Sequence, residues 1–155
     1  MGYFVGTLAL DTLLLVAVLS AYAYPIRLGL KGKSRRSFWL VWVLFLAHML
    51  EEGLTGFPRV WPSMLGFEPW HPAFFIVLNG FWLCVWIWAA HWGKHQPRIA
   101  SIALWFMALG CGLNAIAHPA LALYVGHYFP GLVSGPILGL LGWRWFSQID
   151  FDSEG

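Results

Sequence analysis

Long apolar stretches alternate with short polar segments along the whole chain. A transmembrane helix needs about 20 mostly apolar residues, because the hydrocarbon core of a bilayer is about 30 Å thick. Five stretches have this length, although Pro119, Pro130 and Pro136 can bend or end helices in the last two. The pattern predicts an all-α bundle of five transmembrane helices that forms a single membrane domain over residues 1–155. The predicted spans are residues 3–24, 38–56, 72–91, 99–123 and 128–146.

The composition supports a membrane protein and excludes several other classes. Hydrophobic residues make up 59% of the chain and charged residues 10%, whereas an average soluble domain has roughly 25% charged residues. So much apolar surface on a small soluble domain would cause association. We therefore exclude a soluble single domain, a disordered chain and a nucleic-acid-binding module. Cys84 and Cys111 lie in apolar stretches, and we expect both to be buried free thiols.

The basic residues indicate an orientation. All but one of the nine Lys and Arg residues fall in alternate loops or at the end of the last span, and the exception is Arg59. Cytoplasmic loops of membrane proteins are enriched in Lys and Arg. The N-terminus is therefore predicted outside and the C-terminus in the cytoplasm, as in a multi-pass protein of a bacterial plasma membrane.

Polar side chains inside the predicted spans converge on one leaflet. An ionisable side chain there costs on the order of a few kcal/mol, so it indicates a functional site. With the predicted orientation, every span carries its polar residues in the outer half of the membrane. These residues are Asp11, His48, Glu51, Glu52, Asn79, Asn114 and His118, with His127 just before the start of the last span.

The densest group is His48-Met49-Leu50-Glu51-Glu52. At about 100° per residue, both carboxylates lie within about 60° of His48 on the helix. A His and a carboxylate one turn apart can bind one metal ion, or they can act as a proton-transfer pair. The alternative is a polar contact between helices that has no chemical role.

This motif, followed by the Asn114–His118 pair and by Tyr128-Phe129-Pro130-Gly131, resembles the family of small bacterial membrane proteins named for its HXXEE motif. The resemblance covers about residues 38–142. It implies a membrane site built on His48, Glu51 and Glu52, and the family name specifies no activity. A looser similarity to membrane proteins of the sterol-isomerase type, which place His, Glu and Asn around a Trp-lined lipid cavity, implies a metal-free acid/base mechanism.

The leading hypothesis is a membrane metalloenzyme of hydrolase or oxidoreductase type that acts on a lipophilic substrate. His and carboxylate ligands favour zinc or iron. The predicted metal ligands are His48, Glu52, His118 and His127. The predicted catalytic or ligand-orienting residues are Glu51, Glu52, Asp11, Asn79 and Asn114. The predicted apolar pocket is lined by Phe75, Trp82, Trp86 and Trp105.

Two other hypotheses stay open. One is a metal-free isomerase or cyclase of a lipid or terpenoid. The other is a protein that transports protons or metal ions, or an accessory subunit of a membrane complex. The expected partners are membrane lipid and a lipophilic small molecule, with no nucleic acid. Gly135, Gly139 and Gly142 form a row of small residues, which predicts close helix packing in the last span.

Overall fold

The computed structural model describes residues 7–27 and 30–151, and this part of the chain is helical, without any β-strand. An isolated β-bridge joins Ile26 to Phe151. One turn of 3₁₀ helix, Gly93–His95, connects the fourth and fifth α-helices. The α-helices of the described residues are α1 (Leu8–Ala23), α2 (Gly32–Thr55), α3 (Phe57–Met64), α4 (Pro72–Trp92), α5 (Pro97–Val125) and α6 (Ser134–Phe146).

Three helices in the described part of the chain, namely α2, α4 and α5, are long and apolar enough to cross a membrane. The other two predicted spans are shorter, because α1 has 16 residues and α6 has 13. At 1.5 Å per residue these helices are about 24 and 20 Å long, less than a typical hydrocarbon core. The first four residues of the first predicted span, 3–6, lie outside the described residues.

Proline and glycine explain where the helices begin and end. α4 and α5 both start with a proline, which has no N–H that needs a partner in the first turn. Glycines in the left-handed conformation end α2 and α5, at Gly56 (φ 91°) and Gly126 (φ 73°). Pro119 does not end α5, which continues through it.

Of the five predicted spans, the last one, residues 128–146, differs most from the structure. Residues 128–133 do not belong to the helix, which starts only at Ser134. Pro130 and the left-handed Gly131 (φ 85°) place a turn here instead. The short helix α3 was not predicted either. It follows directly after Gly56, and its first turn contains a proline.

Helix α5 lies at the centre of the bundle and packs against α1, α4 and α6. A Cβ atom at Gly135 would lie 2.8 Å from the backbone oxygen of Asn114, and Cβ atoms at Gly139 and Gly142 would overlap α5 as well. The prediction of close packing along this row is therefore confirmed. The neighbours of the last two glycines are Ala115 and Cys111.

Both cysteines are free, as predicted, but only Cys111 is buried. Cys84 lies on the surface of α4. The expectation of two buried thiols is therefore correct for one of them.

Candidate metal site

Three side chains from α2 and α5 meet inside the bundle: His48, Glu52 and His118. Their exposed fractions are 1%, 7% and 3%. The carboxylate Oε1 of Glu52 lies 3.6 Å from Nε2 of His48 and 3.5 Å from Nε2 of His118. One ligand atom of each residue lies within 4.8 Å of those of the others, so the group can hold a metal ion.

The two imidazole rings lie close together because a glycine packs against both. The ring centroids of His48 and His118 are 4.8 Å apart, and the planes are nearly perpendicular at 86°. A Cβ atom at Gly131 would lie 2.5 Å from Cε1 of His118 and 2.8 Å from Cε1 of His48. Glycine also adopts the positive φ of this position without strain. Gly131 therefore allows the loop before α6 to lie directly against both rings.

Hydrogen bonds assign the proton of His48. Nδ1 of His48 lies 2.7 Å from the hydroxyl oxygen of Ser134. That hydroxyl donates its only proton to Glu51. It must then accept from His48, so Nδ1 carries the hydrogen and Nε2 of the neutral ring has a free lone pair. In the described part of the chain, this buried Nε2 has no hydrogen-bond partner.

The same reasoning assigns the proton of His118. Its Nδ1 lies 2.5 Å from the carbonyl oxygen of Pro130, which can only accept. Nδ1 therefore carries the hydrogen. Nε2 of His118 lies 2.9 Å from Oδ1 of Asn114. The amide nitrogen of Asn114 donates to the carbonyl oxygen of Gly110 at 2.9 Å, which fixes the orientation of the amide.

A second hydrogen on His118, at Nε2, would donate to Oδ1 of Asn114; with both rings neutral, the cluster instead collects atoms with lone pairs. These atoms are Nε2 of both histidines, Oε1 of Glu52 and Oδ1 of Asn114. Buried acceptors that face one another without a hydrogen between them are unfavourable. A cation in their midst, either a metal ion or a shared proton, removes this conflict.

Glu51 has a different position from its neighbour Glu52. It accepts hydrogen bonds from the hydroxyl of Tyr128 (2.5 Å), from the backbone N–H groups of Val133 (3.0 Å) and Ser134 (2.9 Å), and from the Ser134 hydroxyl. Four donors occupy both carboxylate oxygens. Glu51 thus binds the N-terminus of α6 and acts on the cluster through Ser134, which holds His48.

Of the other predicted site residues, two lie at the cluster or its adjoining cavity and two lie on the surface. Asn114 contacts His118, and Asn79 lines the adjoining cavity while its amide donates to the carbonyl oxygen of Phe75. Asp11 is exposed on α1 and accepts a hydrogen bond from Thr7. His127 is exposed just after α5 ends, and its Nδ1 contacts the carbonyl oxygen of Tyr128. The structure does not bring Asp11 or His127 to the three ligands.

Sequence reasoning did not identify three groups that shape the cluster: the hydroxyl of Ser134, the carbonyl of Pro130 and the bare Cα of Gly131. Ser134 stands at the start of a helix, where a hydroxyl is common, so nothing in the sequence distinguished it. The Pro130-Gly131 step was visible as part of the motif, but its contact with two histidines depends on how α6 packs.

A cavity of about 540 Å³ adjoins the cluster. His48, Glu52 and His118 form part of its wall, and apolar and aromatic side chains from α1, α2, α3, α4 and α5 form most of the rest. Three of the four predicted pocket residues lie here, whereas Trp105 packs against Phe146 and Phe151 elsewhere. The three are Phe75, Trp82 and Trp86. A volume of this size is typical of small-molecule sites.

No protein-family model, curated protein or solved structure matches the chain.

Proposed function

We propose that the protein is an integral membrane metalloenzyme in which His48, Glu52 and His118 bind a zinc or iron ion beside a cavity for a lipophilic substrate. The observation that carries this proposal is the hydrogen-bonding pattern around the cluster. Hydrogen bonds outside the cluster occupy Nδ1 of each histidine, so that Nε2 of each lies 3.5 to 3.6 Å from Glu52. Such a partner on the second ring nitrogen is typical of metal-binding histidines.

The ligand set also fits these two metals. Two histidines and one carboxylate bind catalytic zinc with a position left open for substrate, and the same combination binds non-haem iron. When bound, zinc would supply a Lewis acid, and iron would supply redox chemistry. The buried thiol of Cys111 packs at the α5–α6 contact and not in this group. The set is therefore harder than the thiolate and thioether sets that select copper(I).

The residues around the ligands hold them in place. Ser134 and Glu51 fix the ring of His48, and the carbonyl of Pro130 fixes that of His118. All of these partners belong to the loop before α6 or to the first residue of that helix, apart from Glu51 itself. The site is thus preorganised by a segment that contributes none of the three ligands.

The chemistry of the cavity supports a lipophilic substrate. Its wall is mainly apolar, and the described residues that line it include no Lys or Arg to bind an anionic group. Trp70 and Trp86 also line the cavity. We infer a largely apolar substrate.

The location in the membrane belongs to the same proposal. We infer five crossings, three by α2, α4 and α5 and two by the predicted spans 3–24 and 128–146, of which α1 and α6 are the helical parts. The N-terminus is then outside and the C-terminus in the cytoplasm of a bacterial cell. The distribution of Lys and Arg supports this orientation. His48 and Glu52 lie in the last third of α2, so with this orientation we expect the cluster in the outer half of the membrane. We also propose membership of the HXXEE family, on its motif.

A metal-free isomerase or cyclase is the second candidate, and one observation favours it. A proton shared between Glu52 and a histidine Nε2 would satisfy the same acceptors as a metal ion. In that case Glu52 would be the proton donor, and the cavity tryptophans would stabilise a positive charge on the substrate.

Metal analysis separates the two candidates. The protein is purified in mild detergent without chelators, and its zinc and iron contents are measured per chain. We expect about one ion per chain in the wild type and none in His48→Ala or His118→Ala. The matched control is His127→Ala, which removes a histidine outside the cluster and should retain the ion. Wild-type protein without metal, also after incubation with zinc or iron(II), would exclude the metalloenzyme and favour the isomerase.

A further inference from the structure

A second pocket lies at the other end of α2 from the metal site. It has a volume of about 290 Å³ and is formed by the first two turns of α2 and the end of α6. None of its lining residues takes part in the proposed reaction. They are Lys33, Arg36, Ser37, Leu40, Leu141, Arg144 and Gln148.

The pocket concentrates positive charge. Lys33 and Arg36 are one turn apart on α2, and Arg144 reaches the same space from α6. Within residues 7–27 and 30–151, no acidic residue lines the pocket and no ion pair links these three cations to an acid. All three side chains are exposed, so solvent screens part of their mutual repulsion, and an anion bound between them would lower it further.

The neutral polar groups of the pocket also present donors. The hydroxyl of Ser37 donates to Oε1 of Gln148 at 2.9 Å and joins α2 to the segment after α6. This bond occupies the acceptor of the Gln148 amide, so its NH₂ group is left to donate. Guanidinium, ammonium and amide donors together suit a phosphate group, which offers only acceptors to them.

An apolar surface continues the pocket toward the middle of the helices. Leu40 follows Arg36 by one turn on the same face of α2 and is 60% exposed. Leu141 occupies the corresponding place on α6, one turn before Arg144. A free phosphate ion has no apolar part that could pack against these leucines. An acyl chain attached to the phosphate would lie along them.

We propose that this pocket binds an anionic phospholipid, with its phosphate between Lys33, Arg36 and Arg144 and an acyl chain along Leu40 and Leu141. Basic pockets between transmembrane helices on the cytoplasmic side are known to hold such headgroups. The predicted orientation places this end of α2 on that side. The proposal does not depend on the metal site, because the two sites share no residue.

The test measures lipid binding to the purified full chain in detergent. Native mass spectrometry counts bound molecules of phosphatidylglycerol and of phosphatidylcholine, and thermal unfolding is followed with each lipid and with inorganic phosphate. We expect one tightly bound phosphatidylglycerol and a higher Tm with that lipid alone. Removing one basic residue should weaken binding about fivefold, as in Arg36→Gln or Arg144→Gln.

The matched control is Arg35→Gln, which removes an exposed charge next to Arg36 but outside the pocket. It should bind phosphatidylglycerol as the wild type does. Equal binding by all variants, or equal binding of both lipids, would overturn the proposal. A full rise in Tm with inorganic phosphate would show an anion site without lipid selectivity, which also contradicts it. Metal content should be unchanged in every variant, so the outcome is independent of the metalloenzyme proposal.

Discussion

Glu51 and Glu52 are adjacent in the chain, yet their carboxylates bind different parts of the molecule. Glu52 lies between two histidine Nε2 atoms at 3.5 and 3.6 Å, whereas Glu51 accepts four hydrogen bonds from Tyr128 and from the start of α6. One residue is placed to bind a cation and the other to hold a helix. The two should therefore respond differently to mutation.

Replacing Glu52 tests the ligand role. Glu52→Gln keeps the size of the side chain but removes its charge, so we expect loss of the bound ion. The chelated variant should melt at or above the Tm of the chelated wild type, because a buried charge without its counterion destabilises a fold. Elemental analysis and thermal unfolding check both statements. Glu68→Gln, on an exposed carboxylate, is the control and should keep the ion. A full complement of metal in Glu52→Gln would remove this residue from the site.

Ser134 links Glu51 to His48, so its hydroxyl should affect metal affinity without contacting the ion. Removing a group that orients a ligand typically lowers metal affinity 10- to 100-fold. We expect a loss of about this size in Ser134→Ala, measured by competition with a chelator. Ser147→Ala serves as the control, because that hydroxyl donates to the carbonyl of Arg144, away from the cluster. Equal affinities of the two variants would show that the contact with His48 is incidental.

Gly131 and Gly126 provide a matched pair of glycines with positive φ. Gly131→Ala places a methyl group against both histidine rings, whereas Gly126→Ala meets nothing within 4 Å. Both variants carry the strain of alanine in the left-handed region, about 1–2 kcal/mol. We therefore expect similar losses of stability from strain, but loss of metal in Gly131→Ala alone. Metal retained by both would indicate that the loop before α6 adjusts freely.

The glycine row should set the stability of the α5–α6 contact. A Cβ atom at Gly139 overlaps Ala115, and overpacking of this kind typically costs about 1–3 kcal/mol. Gly139→Ala should lower the Tm accordingly. Gly80→Ala, within α4 and without neighbours in reach, should be neutral or stabilising by up to about 1 kcal/mol. The Tm values of the two variants are measured by thermal unfolding in the same detergent. A lower Tm for Gly80→Ala than for Gly139→Ala would contradict the packing argument.

The orientation is tested with fusions of a reporter whose activity depends on its compartment. A reporter after Gly155 should be cytoplasmic, and one inserted between Arg59 and Glu68 should be external. The distribution of basic residues is the reason for this expectation. Both reporters on the same side of the membrane would rule out five spans.

The sequence predicted those features that depend on spacing within one helix. His48 and Glu52 are four residues apart, and the glycines of α6 repeat at three and four residues, so their shared faces followed from helical geometry. Contacts between segments that are far apart in the sequence could not be predicted from this spacing. The placement of Ser134 beside His48, and of the Pro130 carbonyl beside His118, depends on the packing of α6.

The predictions that the structure does not support also have physical reasons. His127 was grouped with the ligands because it stood near the start of a predicted span. Gly126 ends α5 just before it, and the chain turns so that His127 is exposed. Asp11 was grouped with the ligands by its predicted depth, but depth along a helix does not fix the direction of a side chain. It lies on an exposed face of α1.

The position of Ser134, 86 residues after His48, has a consequence for biosynthesis. The ribosome makes the three ligands first, and the groups that align the two histidines arrive only with the last helix. A nascent chain that has inserted α2 and α5 therefore has the ligands without their final alignment. We therefore expect tight metal loading only after the chain is complete.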